Sequence, residues 1–183
     1  MCQLKYLNKL PLNKNNLFLD RDGVINDVVI RNGKISSPRS LEEFFFCKGL
    51  DILSSKFIRE NFNLIIITNQ PDLERNLIDT DFIKKINEKI FNLIECNIIY
   101  ICPCTKKSKC DCRKPNTGMI DSYFSEYGRG LKNYYIGDQE ADLICAKKSS
   151  ITFILKNYEY NKELHSESDY VIKDFIEILK IVN

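Results

Sequence analysis

The chain has 183 residues and a formal net charge of +2, with 28% charged residues. This length suits one domain with a full hydrophobic core, and the nearly balanced charge does not favour electrostatic binding of nucleic acid. No apolar run approaches the roughly 18 residues of a membrane span, and the N-terminus lacks the apolar core of a signal peptide. We therefore predict a cytoplasmic monomer with a single domain over residues 1–183, and no nucleic-acid or membrane partner.

Short apolar segments alternate with amphipathic ones along the chain. Residues 1–15 are polar and predicted to be an irregular arm, and a buried strand follows over 17–19. A hairpin flap over 28–35, turning at Asn32-Gly33, precedes a helix over 49–61. Further strands are predicted over 64–68, 97–102, 133–136, 151–155 and 170–172, and helices over 79–95, 117–127, 140–148 and 174–181. This alternation predicts an α/β fold, doubly wound around a mainly parallel sheet.

The first strand ends in two carboxylates one residue apart, Asp20 and Asp22, followed by Gly23. Parallel sheets place their catalytic crevice at the carboxyl ends of the strands. Two acids so close repel each other, so we expect a divalent cation beside them. One carboxylate then has the position to attack an electrophile, and the other to move a proton. The alternative is a plain acidic turn, since Asp and Gly are common turn residues.

Polar residues also follow the later strands. Thr68 and Asn69 end the second long strand, Lys114 comes after the third, and Asp138 and Asp142 come after the fourth. In a doubly wound sheet these strand ends meet at one crevice. Carboxylates, a hydroxyl, an amide and a lysine suit a phosphoryl group, whose oxygens need their charge neutralised as the bond breaks.

Four of the eight cysteines crowd into one loop: Cys102, Cys104, Cys110 and Cys112. A reducing compartment disfavours disulfides, and two Cys-x-Cys pairs around a short loop indicate zinc ligands, with unliganded thiols as the alternative. A site of four cysteines has no open position, so its zinc would be structural. The other cysteines stand singly and are predicted to be small buried residues: Cys2, Cys47, Cys96 and Cys145.

Residues 16–155 resemble the haloacid dehalogenase (HAD) superfamily of phosphatases in the order of their motifs. The first motif is Asp20-Arg21-Asp22-Gly23-Val24-Ile25-Asn26, and the second is Thr68-Asn69-Gln70. Lys114 matches the third, and Gly137-Asp138-x-x-x-Asp142 the fourth. The cysteine loop ends in Cys110-Asp111-Cys112-Arg113-Lys114-Pro115 and is similar to that of a small capless group in the superfamily. The two enzymes that define this group act on D-glycero-D-manno-heptose 1,7-bisphosphate and on histidinol phosphate.

The resemblance implies a Mg2+-dependent phosphatase with a Rossmann-like HAD core, no cap domain and a zinc loop over 102–115. Asp20 resembles the nucleophile that becomes an aspartyl-phosphate, and Asp22 resembles the acid that protonates the leaving alcohol and then activates water. The Asp20 side chain, the Asp22 backbone carbonyl and the Asp138 side chain would bind Mg2+. Asp142 would orient Lys114 or the metal shell, or would only begin a helix. The substrate-binding residues would be Thr68, Asn69, Gln70, Arg113 and Lys114.

The chain departs from the group's pattern at three places. The usual Cys-x-His pair is Cys102-Pro103-Cys104, which leaves four thiolate ligands, and the one histidine, His165, is predicted to lie on the surface. Gln139 stands where the heptose enzymes have a lysine. Asn76 stands where they have a glycine, directly after an arginine that this chain keeps as Arg75.

These sequence features favour two different substrates. The first motif and the Arg75 segment favour a heptose bisphosphate of lipopolysaccharide or capsule synthesis, whereas the short loop between the cysteine pairs favours histidinol phosphate. We therefore predict a phosphatase of the heptose 1,7-bisphosphate type, with a histidinol-phosphate phosphatase as the alternative. Two other classes stay open: a non-catalytic zinc-stabilised binding module, against which the complete acid and lysine set argues, and a thiol-redox protein, which tight zinc binding would exclude.

Overall fold

The computed structural model describes residues 3–13 and 15–182. Its strands are β1 (Leu4–Leu7), β2 (Asn15–Leu19), β3 (Val29–Arg31), β4 (Lys34–Ser36), β5 (Phe62–Asn69), β6 (Ile98–Cys102), β7 (Asn133–Gly137), β8 (Thr152–Lys156) and β9 (Tyr170–Ile172). Its α-helices are α1 (Lys56–Asn61), α2 (Thr80–Ile94), α3 (Gly118–Tyr127), α4 (Glu140–Lys148) and α5 (Ile178–Val182). Short 3₁₀ segments cover Leu41–Glu43, Leu50–Ser54, Lys106–Ser108, Glu159–Glu167 and Phe175–Glu177.

Within the described residues, the main sheet has the spatial order β1-β6-β5-β2-β7-β8-β9. All neighbouring strands pair in parallel except β1, which is antiparallel to β6. From central β2 the chain first builds outward through β5 and β6, and later returns to the other side of β2 through β7, β8 and β9. The strand order therefore reverses beside β2, and the crevice of such a sheet opens at this point. The predicted α/β fold with a mainly parallel sheet is confirmed.

Helices cover both faces of the sheet. Leu17 and Leu19 of β2 belong to a buried cluster formed with α1, α2 and α5, whereas Phe18 belongs to a second cluster formed with α3 and α4. Phe18 packs edge-on against Tyr123 and Phe124 of α3, with ring centroids 5.3 and 5.5 Å away. Each fully buried apolar side chain contributes about 1.5–3 kcal/mol. Because β2 is buried on both faces, the residues that follow it are carried on a rigid support.

The predicted irregular arm over residues 1–15 is wrong in part. Leu4–Leu7 form β1, whose Leu4 pairs with Ile101 of β6, and β2 already begins at Asn15. Leu4 and Tyr6 pack against the core while Lys5 and Leu7 are more exposed, so the segment has the alternation of a strand, although over only four residues. Pairing at the sheet edge supplies the hydrogen bonds that so short a pattern does not predict. Met1, Cys2 and Lys14 lie outside the described residues.

The predicted helix over 49–61 is interrupted at Ser55. This residue is extended (φ −60°, ψ 151°) and separates the 3₁₀ segment Leu50–Ser54 from α1. Its side chain accepts a hydrogen bond from the Ile58 backbone N–H at 3.5 Å, as an N-cap serine does. The predicted last helix is present as a 3₁₀ turn, Phe175–Glu177, that continues directly into α5. The remaining predicted strands and helices are present, with ends displaced by at most two residues.

Several single-residue predictions are also confirmed. The hairpin of β3 and β4 turns at Asn32 and Gly33, which have φ values of 50° and 71°. Cys47, Cys96 and Cys145 are buried, whereas Cys2 lies outside the described residues. His165 is exposed.

Within residues 3–13 and 15–182, every helix is too short or too polar to span a membrane.

Candidate active site

The carboxyl ends of the central strands bring most of the predicted site residues into one cleft of about 260 Å³. Asp20 and Asp22 reach this cleft from the turn after β2, and Thr68 and Asn69 from the end of β5. The loop after β6 and the start of α4 supply the others: Arg113, Lys114 and Asp142. Gln70 and Asp138 are fully buried and support the residues that line the cleft.

Lys114 lies at the centre of the site and is almost fully buried. Its Nζ is 2.6 Å from Asp20 Oδ1 and 2.7 Å from Asp142 Oδ1, and it also donates to the Ile67 carbonyl and the Tyr135 hydroxyl, at 2.9 and 3.1 Å. Burial opposes protonation of the amine, but the negative charges of Asp142 and Asp20 outweigh burial and raise the pKa of Lys114. The site therefore contains a fixed cation beside Asp20.

Asp142 has both of its carboxylate oxygens occupied. Oδ1 contacts Lys114 and accepts from the Tyr135 hydroxyl at 2.8 Å, while Oδ2 accepts from the backbone N–H groups of Gln139 and Asp138, at 3.1 and 3.3 Å. The second pair of hydrogen bonds forms the N-terminal cap of α4. Asp142 therefore both orients Lys114 and caps the start of α4. These contacts correspond to two of the roles that the sequence left open.

Asp22 is surrounded by hydrogen-bond donors. Arg21 and Asn26 each donate to Oδ1 at 2.9 Å, and Ser37 and Gln70 donate to Oδ2 at 2.8 and 2.7 Å. Burial alone would raise the pKa of Asp22, but the Arg21 charge and these hydrogen bonds outweigh burial and lower it. The carboxylate is therefore ionised and held in one orientation.

The second motif holds the site together. The Asn69 side-chain amide pairs with the backbone of Lys114, accepting from its N–H at 3.0 Å and donating to its carbonyl at 3.1 Å. The Gln70 amide donates both to Asp22 and, at 2.8 Å, to Thr68 Oγ1. Both amides fix other groups of the site, and substrate binding by Asn69 and Gln70 stays a prediction. Thr68 itself lines the cleft.

Three carboxylates come together beside Lys114. One oxygen each of Asp20, Asp138 and Asp142 lies within 4.8 Å of the other two. Burial and the charge of Asp142 raise the pKa of Asp20 well above its usual range and that of Asp138 to about 7. Asp138 Oδ1 is buried and has no hydrogen-bond partner among the described residues. Oxygen ligands of this kind fit a hard divalent cation such as Mg2+, which would offset the crowded negative charge.

Gly23 allows the turn after β2 to lie close to Asp138, in the turn after β7. A Cβ atom at Gly23 would lie 2.4 Å from Asp138 Oδ2, and the residue has φ 87°. Any side chain here would displace Asp138 and strain the backbone. The glycine that follows the two predicted carboxylates is therefore required by the close approach of the fourth motif as well as by the turn.

The four loop cysteines form a second cluster. Their Sγ atoms all lie within 4.8 Å of one another, with 3.3 Å between those of Cys102 and Cys110. Four thiols gathered in this way fit a tetrahedral zinc site. The Arg113 side chain donates to the Cys104 carbonyl at 2.7 Å. The loop that holds the cysteines thus also fixes the arginine that lines the cleft.

Two of the departures from the family pattern have a visible effect. Asn76 has φ 56°, a left-handed conformation that glycine adopts freely and that asparagine tolerates better than most other residues with side chains. The Gln139 side chain donates to Asp138 Oδ2 at 2.8 Å and brings no charge.

Several residues at the site were not predicted from the sequence. Tyr135, within β7, bridges Lys114 and Asp142, and Ser37, after the flap, donates to Asp22. Tyr160 donates to Asp138 from a 3₁₀ segment far along the chain. Tyrosine and serine are common in strands and loops, and no spacing in the sequence distinguishes these three from structural residues.

The fold agrees with that of known proteins to which the chain is similar. The family described as Polynucleotide kinase 3 phosphatase matches residues 24–178. The chain belongs to this family of HAD-type phosphatases. It is 34% identical to the D-glycero-alpha-D-manno-heptose-1,7-bisphosphate 7-phosphatase of Campylobacter jejuni subsp. jejuni serotype O:2, over 91% of this chain and 93% of that protein.

A second curated protein and a solved structure are also similar to the chain. The Histidine biosynthesis bifunctional protein HisB of Campylobacter jejuni subsp. doylei is 27% identical over 82% of this chain, which spans 44% of that protein. The crystal structure of D,D-heptose 1,7-bisphosphate phosphatase from B. bronchiseptica, complexed with magnesium and phosphate, has a TM-score of 0.77 and 22% identity, and the alignment covers 92% of this chain and 97% of that one. The latter similarity concerns the fold.

Proposed function

We propose that the chain is a Mg2+-dependent phosphatase, a single domain without a cap, that removes the 7-phosphate of D-glycero-D-manno-heptose 1,7-bisphosphate. The observation that supports it most is the meeting of Asp20, Asp138 and Lys114 at the strand-order reversal, with the Lys114 amine 2.6 Å from Asp20. Family membership and a heptose bisphosphate 7-phosphatase at 34% identity support the same reaction.

Asp20 is the nucleophile of the proposed reaction. Its carboxylate attacks phosphorus, the bond between phosphorus and the sugar oxygen breaks, and Asp22 gives a proton to that oxygen as the alcohol leaves. The ionised Asp22 then takes a proton from water, the hydroxide attacks phosphorus, and Asp20 leaves as a carboxylate with release of inorganic phosphate. Thr68 and Lys114 hold the phosphoryl oxygens during both steps.

The two metals have separate places in this proposal. The Asp20 side chain, the Asp22 carbonyl and the Asp138 side chain would hold Mg2+, which would neutralise charge at the phosphoryl oxygens. The four loop cysteines would hold zinc, which would keep the loop over 102–115 folded. We place the reaction in the cytoplasm, with a small-molecule substrate and a monomeric enzyme.

Two arginines of the cleft favour a bisphosphate over histidinol phosphate. Arg113 and Arg75, which also pairs with Asp72, line the same cleft as Asp20, and their guanidinium groups suit the oxygens of a second phosphate. Histidinol phosphate instead carries an amine, which arginines repel. It remains the second candidate because HisB is 27% identical over 82% of this chain.

A phosphate-release assay with purified protein and Mg2+ tests the proposal. The substrates are the two anomers of D-glycero-D-manno-heptose 1,7-bisphosphate, histidinol phosphate and a 3′-phosphorylated oligonucleotide. We expect kcat/KM for a heptose bisphosphate to exceed that for histidinol phosphate by about tenfold or more, since a charge-assisted hydrogen bond contributes about 1.5–3 kcal/mol.

Asp20→Asn is the matched control for this assay. It keeps the size of the side chain but removes the charge needed for attack, so its rate should fall below about 1% of the wild-type rate. A higher residual rate would contradict the aspartyl-phosphate route. Histidinol phosphate or the oligonucleotide as the preferred substrate would contradict the assignment of the heptose bisphosphate.

A further inference from the structure

The segment after β8 contacts both turns that carry the site's carboxylates. The Tyr160 hydroxyl donates to Asp138 Oδ2 at 2.6 Å, and the Asn161 side chain donates to the Asp138 carbonyl at 2.8 Å. The Tyr158 hydroxyl donates to the Gly23 carbonyl at 2.9 Å. None of these three residues belongs to a recognised motif, so only the folded chain connects them with the site.

This segment is itself held in one arrangement. The rings of Tyr158 and Tyr160 stack, with centroids 5.0 Å apart and planes inclined by 8°. Asn161 is buried, and its Oδ1 accepts from the Tyr158 backbone N–H at 2.8 Å. The Lys156 amine lies 5.2 Å from the centre of the Tyr158 ring. Packing on this scale fixes the rotamer of a side chain, so Tyr160 presents its hydroxyl at a defined position.

The two oxygens of the Asp138 carboxylate have different surroundings. Oδ2 accepts from Tyr160 and also from the Gln139 amide at 2.8 Å. Oδ1 is buried and has no hydrogen-bond partner within residues 3–13 and 15–182. Turning the carboxylate out of its present plane would break both hydrogen bonds to Oδ2. The two donors therefore hold the carboxylate so that its other oxygen, Oδ1, stays available as a ligand atom.

We propose that Tyr160 is a positioning residue for the divalent cation: its hydroxyl fixes Asp138 so that Oδ1 faces the metal. The identity of the cation as Mg2+ rests on the proposed function. Gln139, whose side-chain amide also donates to Oδ2, shares this task. A neutral hydroxyl and a neutral amide hold the carboxylate without cancelling the charge that attracts the cation.

Tyr160→Phe tests this inference because it removes only the hydroxyl. The melting temperature of the protein is measured over a series of Mg2+ concentrations without substrate, and phosphate release is measured over the same series. The hydrogen-bond partners of a metal ligand typically change metal affinity or activity by 10–100-fold. We expect Mg2+ binding to weaken about tenfold by both measurements, with the rate and KM at saturating Mg2+ close to the wild-type values.

Two further variants make the test specific. Tyr123→Phe removes another buried hydroxyl, which donates to Asn16 at 2.7 Å at the opposite end of β2, and it should leave Mg2+ affinity unchanged. Gln139→Met removes the second hydrogen bond to Oδ2 and should weaken Mg2+ binding as well, which provides an independent route if Tyr160→Phe unfolds.

Wild-type Mg2+ affinity in both Tyr160→Phe and Gln139→Met would overturn the inference. So would an equal loss in Tyr123→Phe, or a lower rate in Tyr160→Phe that saturating Mg2+ does not restore while Mg2+ affinity is unchanged. The melting curves contain no substrate, so they separate the two proposals. A protein that responds to Mg2+ as expected but hydrolyses no sugar phosphate would contradict the proposed function and leave the inference about Tyr160 standing.

Discussion

At the scale of single residues, the surroundings of Asp22 define its proton chemistry. Four side chains donate to this carboxylate, and its pKa is lowered by the Arg21 charge and these hydrogen bonds in spite of burial. In the free protein Asp22 is therefore ionised, which suits its step as a base toward water. A phosphate dianion placed beside it raises its pKa, because like charges disfavour ionisation, and so enables its step as an acid.

Asp22→Asn should affect substrates according to their leaving group. The variant loses the proton donor but keeps the backbone carbonyl proposed to bind Mg2+. We expect a larger loss of kcat on a sugar phosphate, by about a hundredfold, than on an aryl phosphate, whose leaving group needs little protonation. The measurement is the ratio of the two rates on one preparation of protein.

The ratio is needed because this substitution also affects folding. Arg21 is fully buried and its ion pair with Asp22 measures 2.9 Å. Removing one partner of a buried ion pair costs about 3–5 kcal/mol. Partial unfolding lowers both rates equally and leaves their ratio unchanged. Equal losses on the two substrates would argue against Asp22 as the general acid.

At the scale of elements, the cysteine loop connects β6 with the site. It begins at the end of β6, and the Gly118 backbone N–H of α3 donates to the Asp111 carbonyl at 3.0 Å. Arg113 is tied to the Cys104 carbonyl, and Lys114 to the Asn69 side chain. The loop therefore sets the position of two cationic side chains of the cleft, and its folding should control the rate.

Cys104→Ser should abolish binding of the zinc proposed for this loop and remove most of the activity. Loosening the loop misplaces Arg113 and Lys114, and a displacement of about 1 Å can cost about a hundredfold in rate. Cys104→His restores the ligand set usual in the family and should keep both zinc and activity. Elemental analysis of the purified proteins, together with phosphate release, measures these effects.

Cys96→Ala is the control for these two variants. It removes a buried cysteine that belongs to the cluster on the other face of the sheet, so zinc should stay at about one per chain. Wild-type protein that is fully active without zinc would exclude the structural role. A Cys104→His protein without zinc would show that the loop geometry differs from that of its relatives.

At the scale of the whole molecule, ion pairs between separate loops make stability depend on pH. Asp72 accepts from Arg39, after the flap, at 2.7 Å and from Arg75 at 2.9 Å. Burial opposes ionisation of Asp72, but the hydrogen bonds and charges of the two arginines outweigh burial and lower its pKa. A carboxylate with a lowered pKa in the folded state adds stability above its unfolded pKa, near 3.9, and this stability is lost as the pH falls through the folded value.

Asp72→Asn should therefore reduce the free energy of unfolding at pH 7 by about 1 kcal/mol, since both arginines are partly exposed and screened by solvent. Urea unfolding at several pH values measures the difference from wild type, which should shrink below about pH 4. Glu88→Gln, at an exposed position in the middle of α2, is the control and should change stability little. A difference for Asp72→Asn that is constant from pH 7 to about pH 3 would contradict the linkage.

The sequence predicted the parts of the molecule in which function follows from local pattern. Apolar runs and their period located the central strands, and the polar residues at the strand ends located Asp20, Thr68, Lys114 and Asp138. It did not predict β1, because four alternating residues are too short a pattern, nor the break at Ser55, where a capping side chain interrupts an apolar period.

The fold class, the chemistry of the strand ends and the four-cysteine cluster follow from the amino-acid sequence, because each is encoded by neighbouring residues in the chain. How these groups are held depends on contacts between distant parts of the folded chain. Tyr160 is 22 positions from Asp138 and Ser37 is 15 positions from Asp22, yet each donates a hydrogen bond of 2.6 to 2.8 Å to its carboxylate. Such bonds depend on loop paths and on side-chain packing across separate strands. The pattern of residues along the chain does not predict which distant residues come within hydrogen-bond distance.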